Sequence, residues 1–111
     1  MATSTIKNQG ISTRTVTPTD VQNGTFNTVQ VNQSGSVINL YVSFTLNTAM
    51  SPSTEYVIGT LPSGCRPKAY SNIGGLVYVG SILSSGLMRI RPLIAVNSGA
   101  TANLSATYLT A

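Results

Sequence analysis

The stretch Ser36–Leu46, SVINLYVSFTL, decides the fold. Ile38, Leu40, Val42, Phe44 and Leu46 fall on one face of an extended chain, and Asn39, Tyr41, Ser43 and Thr45 on the other. A pleated strand sends successive side chains to opposite faces. Strict apolar–polar alternation is therefore what a sheet with one buried and one wet face requires. No window of the chain instead shows the i, i+3, i+4, i+7 pattern of a helix over three turns.

Further strands lie on both sides of this one. Thr25–Asn32, TFNTVQVN, alternates as well, and Gln33–Gly35 links the two as a hairpin turn. After the polar loop NTAMSPST come Glu55–Leu61, Leu76–Leu83, Leu87–Val96 and Ala102–Thr110. Gly74-Gly75, SSG and NSGA punctuate them. In the last strand Leu104, Ala106 and Tyr108 share a face. Six or seven short strands at this spacing predict an antiparallel β-sandwich, jelly-roll-like. The opening MATSTIKNQGISTRTVTPTD is polar and weakly periodic. It reads as an extended arm or stem over residues 1–21, ordered only by a partner chain if at all. The head domain then covers 22–111.

Composition narrows the function. Of 111 residues 41% are hydrophobic and only 7% charged, against roughly 25% charged in an average globular protein. Ser, Thr, Asn and Gln supply the polarity, which suits an extracellular, virion or cell-surface setting. The net charge of +4 comes from scarce acids rather than abundant bases. The basic clusters Arg66/Lys68 and Arg89/Arg91 are too short for a nucleic-acid footprint. No segment reaches the ~20 apolar residues of a membrane helix, and the N-terminus lacks the apolar core of a signal peptide. A particle or cell lysis is then the expected route out of the cell.

Catalysis has little to work with. The chain has no histidine, one cysteine and two acids, Asp20 and Glu55, which nothing places together. Acid–base chemistry relies on a histidine or paired carboxylates, and no base is present to activate a serine. Cys65, with Arg66 beside it, reads as a small half-buried side chain at a strand end. The expectation is a protein that is not an enzyme, with no cofactor and no metal.

The corner Thr60–Pro67, TLPSGCRP, has a structural role. Pro62 cannot donate to a ladder and stops the preceding strand. Ser63-Gly64 allows a tight turn with positive φ at the glycine. Pro67 holds Arg66 extended. Past the corner, Arg66, Lys68, Tyr70 and Asn72 share one polar loop and are the candidate ligand-binding residues. Arg89 and Arg91 alternate with Met88 and Ile90, so both guanidinium groups leave the same face. They and Tyr41, which lies opposite the apolar face of its strand, are candidates for a subunit interface or a ligand. Planar guanidinium donors suit carboxylates, phosphates and sugar hydroxyls.

The motifs IGTLPSGCRP, GLMRIRP and SATYLT, in that order, resemble the C-terminal head domain of tail-fibre and baseplate receptor-binding proteins of phages that infect Gram-positive bacteria. The resemblance runs from Gln22 to Ala111 and is most specific over Gly59–Pro67. Cys65 stands where such domains commonly carry an aromatic ring. The resemblance implies a β-sandwich head, assembled as a homotrimer on the virion and attaching to a host-surface saccharide. Other virion proteins would hold it through the N-terminal arm. The alternative is a purely structural capsid or tail decoration protein, a head fibre anchored by the same arm. A trimer also follows from the apolar residues on both faces of Leu76–Leu83, more than one sheet face can bury.

Overall fold

The computed structural model describes residues 11–111, which form eight strands and, among the described residues, no helix. The strands are β1 (Ile11–Thr15), β2 (Gly24–Ser34), β3 (Val37–Leu46), β4 (Tyr56–Thr60), β5 (Ser71–Gly74), β6 (Tyr78–Ile82), β7 (Leu87–Pro92) and β8 (Thr101–Leu109). All pairings are antiparallel, in the order β1-β2-β3-β8-β5-β6-β7-β4. The all-β antiparallel class expected from the sequence is the one observed. The two layers pictured for a sandwich are halves of one curled sheet, β1-β2-β3-β8 and β5-β6-β7-β4. They join where Gly74 pairs with Ser105.

β3 anchors the sheet. Its five apolar residues Ile38, Leu40, Val42, Phe44 and Leu46 are all buried. Burying one such side chain contributes about 1.5–3 kcal/mol. β2 lies on one side, turning into β3 through Gly35 and Ser36, and β8 lies on the other. β8 buries Ala102, Leu104, Ala106 and Tyr108 and exposes the residues between them. Across the curl, Ile58, Ile73, Tyr78, Ile82, Met88 and Ile90 complete a single core. Half-buried Phe26 packs against this core and meets Phe44 edge to face at 4.7 Å, the arrangement that ring quadrupoles favour.

Two bridges close the curl. Thr19 and Thr60 exchange main-chain hydrogen bonds of 2.9 Å each, and Gln22 N donates to Ile58 O. The chain after β1 thereby covers the outer edge of β4, an edge that would otherwise offer free donors and acceptors. At the other end Met50 and Val96 exchange bonds of 3.0 and 3.1 Å.

The expected arm at 1–21 changes in its described part. Ile11–Thr15 forms β1, paired residue by residue with β2, and Val16 N donates to Val29 O. Main-chain pairing holds this segment, so its polar side chains gave no periodic signal. The rest of the expected arm, residues 1–10, lies outside the described residues. β5 forms within the stretch whose polar residues predict a loop. Ile73 is the one apolar residue in Ser71–Gly74 that the core takes up.

The corner is built as the prolines and glycine dictate. Gly64 has φ +97°, a conformation that side-chain-bearing residues rarely adopt. Pro67 bridges Thr110, Lys68 N donates to Leu109 O at 2.7 Å, and Ala111 N donates to Arg66 O at 3.0 Å. The corner carries the chain from the edge of β4 to the end of β8. Tyr108 Oη donates to Cys65 O from within the core.

Candidate functional site

The main concavity lies where the halves of the sheet separate. Beyond Gly74–Ser105 the chain of β5 leaves β8 and rejoins it only at Pro67–Thr110. Along β8 that interval is Ala106–Leu109; along the facing chain it is Lys68–Ile73. The facing chain has more residues than β8 over this interval and is not paired with it in register, as at a bulge. The result is a groove of about 1420 Å³.

The direction of the β8 main chain follows from its bonds. Ala100 O accepts from Leu46 and Thr110 N donates to Ser36, so even-numbered residues turn their peptide groups to β3. Leu109 O accepts from Lys68, so odd-numbered ones turn toward β5. Thr107 lies between Ser105 and Leu109 and turns its N–H and C=O into the groove, where β5 has moved away. Gly75 fixes the upper end. A Cβ there would stand 2.2 Å from Asn103 O, so only glycine permits this approach.

The side chains on the groove are Lys68, Tyr70, Ser71 and Asn72 on one wall and Ser105 and Thr107 on the other. Tyr70 is 62% exposed. The floor includes Tyr78 and Tyr108. Burial pushes the Tyr78 phenol above its ordinary range. Burial, with Cys65 adding to it, pushes that of Tyr108 further still, so it remains a neutral donor. Among the described residues Lys68 is the only charged one on the lining. The wall can stack a ring and exchange hydrogen bonds. It contains no acid or histidine that could serve a hydroxyl as general base.

Three of the four loop candidates, Lys68, Tyr70 and Asn72, therefore meet on this groove. Arg66 does not. Its Nε donates to Leu61 O at 2.8 Å, and its carbonyl accepts from Thr110 Oγ1 at 3.2 Å, folding the residue back onto the corner. Arg89 and Arg91 leave the outer face of β7 together, as their spacing requires. Arg91 Nη1 donates to Pro52 O at 3.1 Å. Arg89 Nη1 stands 4.0 Å from Glu55 Oε1. Tyr41 lies exposed on the outer face of β3 and donates to Asn103 Oδ1 at 3.2 Å, away from the groove. Ser105 and Thr107 escaped the sequence reading. Their alternation in β8 marked them as outward, but not which loop they would face.

Cys65 is buried, and its thiol donates to Pro62 O at 3.4 Å. Burial pushes the thiol up, against the pull of Arg14 and Arg66. A thiol raised in this way is a poor nucleophile at neutral pH. Among the described residues no group of three His, Cys, Asp or Glu side chains could hold a metal ion. Compared with protein-family models and with curated proteins, the chain matches none.

Proposed function

We propose that this chain is a virion surface domain of the tail-fibre receptor-binding kind, which attaches a phage to host-surface saccharide through the groove between β5 and β8. The observation that carries the reading is Tyr70, 62% exposed at the rim of a groove bordered by Lys68, Ser71, Asn72, Ser105 and Thr107. A sugar ring has an apolar face and a rim of hydroxyls. A tyrosine ring accepts the first, and hydroxyl, amide and main-chain groups accept the second. Shallow recognition of this type needs no ionised partner.

The active form in this reading is a homotrimer. Leu76 is 95% exposed, and Val79, Leu93 and Ile94 are exposed around the same strand ends. Leu93 N donates to Val77 O at 2.7 Å, which keeps these residues together. A second copy is the cover that a clustered apolar surface of this kind calls for.

A glycan array and intact-cell binding test the proposal. Binding by the native chain that Tyr70→Ala abolishes, with folding intact, supports it. No binding to any glycan or cell, together with loss of particle incorporation when residues 1–10 are removed, favours decoration instead. Sedimentation should give three times the 11.6 kDa chain mass. A stable monomer at micromolar concentration overturns the trimer.

A further inference from the structure

A second polar cluster lies on the outer face of the other half-sheet. Register places Asn72 opposite Ser81, Ser81 opposite Arg89, and Arg89 opposite Val57. Directly opposed residues share a face, with strands about 4.8 Å apart. The row therefore runs straight across β5, β6, β7 and β4.

Two groups in it are unsatisfied. Ser81 is 3% exposed, and its Oγ has no hydrogen-bond partner among the described residues. Arg89 Nε is buried and likewise has none among them. Buried polar groups in folded proteins are nearly always paired, so each exception calls for a reason. Here the two lie side by side on neighbouring strands. Nearby groups do not meet the need. Glu55 stands at the outer limit of an ion pair with Arg89, and Arg91 is engaged by Pro52 O. A guanidinium has five N–H donors in a fixed fork, a geometry matched to carboxylate and phosphate.

We propose that Arg89, Ser81 and Asn72 form a binding site for an oxyanion group, a phosphate or a carboxylate. The Arg89 fork takes two of its oxygens, the Ser81 hydroxyl donates to the bound anion, and the Asn72 amide approaches from the next strand. Glu55 competes for the same guanidinium and so sets the affinity. The site shares only Asn72 with the groove and does not depend on the saccharide reading.

The test is an NMR titration of the full chain with inorganic phosphate and, separately, with acetate. The expected result is saturable shifts at the amides of Asn72, Ser81 and Arg89 with either or both ions. Arg89→Lys keeps the charge but loses the fork, and should weaken binding by about tenfold. Ser81→Ala should weaken it several-fold. Glu55→Gln should tighten it, while Asp20→Asn, with the same change in net charge, should leave it unaltered. Shifts that never saturate, that survive Arg89→Lys, or that respond equally to Asp20→Asn and Glu55→Gln overturn the proposal. They would assign the attraction to the overall positive charge. The Glu55 and Asp20 pair keeps the test decisive should Arg89→Lys fail to fold.

Discussion

Tyr108→Phe removes one oxygen, and the consequence can be worked through. Tyr108 Oη donates to Cys65 O, joining the end of β8 to the rigid corner. The ring stays and the cavity is negligible, so the loss is that of the hydrogen bond. A buried carbonyl left without its donor costs about 1–3 kcal/mol. For a domain near this size each kcal/mol corresponds to roughly 4–8 °C in Tm. Alkaline pH adds a second signature. The folded phenol titrates well above the ordinary tyrosine range, held up first by burial. A group whose folded pKa is raised contributes stability that is complete below the unfolded pKa. That contribution declines as pH rises from there toward the folded pKa, because the unfolded chain alone can ionise. The wild-type advantage over Tyr108→Phe should therefore be constant to about pH 9 and then shrink, approaching a slope of about 1.4 kcal/mol per pH unit above 10. Urea unfolding of both proteins from pH 7 to 11 measures this directly. Tyr78 titrates in both and cancels, and carrying Cys65→Ala in both proteins removes the thiol that couples to Tyr108, so the difference isolates Tyr108. Equal stability at pH 7, or a gap that does not narrow above pH 10, would refute the reasoning.

Other substitutions report on other parts of the molecule. Phe44→Ala empties the centre of the core and removes the edge-to-face contact with Phe26; a loss of about 3–5 kcal/mol is expected in denaturant melts. Gly75→Ala sets a methyl against Asn103 O. The strands must separate there, so a lower Tm should come with altered amide shifts at Asn103 and Ser105. An unchanged spectrum would contradict the described approach. Tyr70→Ala should leave stability within about 0.5 kcal/mol by the same melts, as expected of an exposed ring.

The strands that carry their own apolar alternation were legible in the sequence. In β3 every residue assigned to the inner face is buried, and Met88 and Ile90 in β7 behave likewise. β1 and β5 were not legible, because what places them is main-chain pairing with distant partners. Ser12, Thr13 and Thr15 carry no periodic signal, and β5 offers only Ile73. The site was half visible. Local chemistry marked Lys68, Tyr70 and Asn72, but the opposite wall depends on the pairing of Gly74 with Ser105. Arg66 looked like a free loop cation. Its capture by Leu61 O depends on how tightly the corner closes, and residue type does not report that. The direction of Arg89 and Arg91 followed from alternation. The difference between them did not, since Pro52 reaches Arg91 through tertiary structure.

The narrow junction at Gly74–Ser105 has a further consequence. The groove has one wall on each half of the sheet, so anything that fills it touches both at once. Such an occupant acts as a strap across a seam. It would be felt by the strands on either side and not by the loop alone. Its affinity would appear as a rise in the unfolding temperature of the whole domain, growing with the logarithm of ligand concentration once the site is saturated. Amide exchange should slow in β8 and β5 together. A ligand held by the exposed loop alone would leave the β8 amides unchanged.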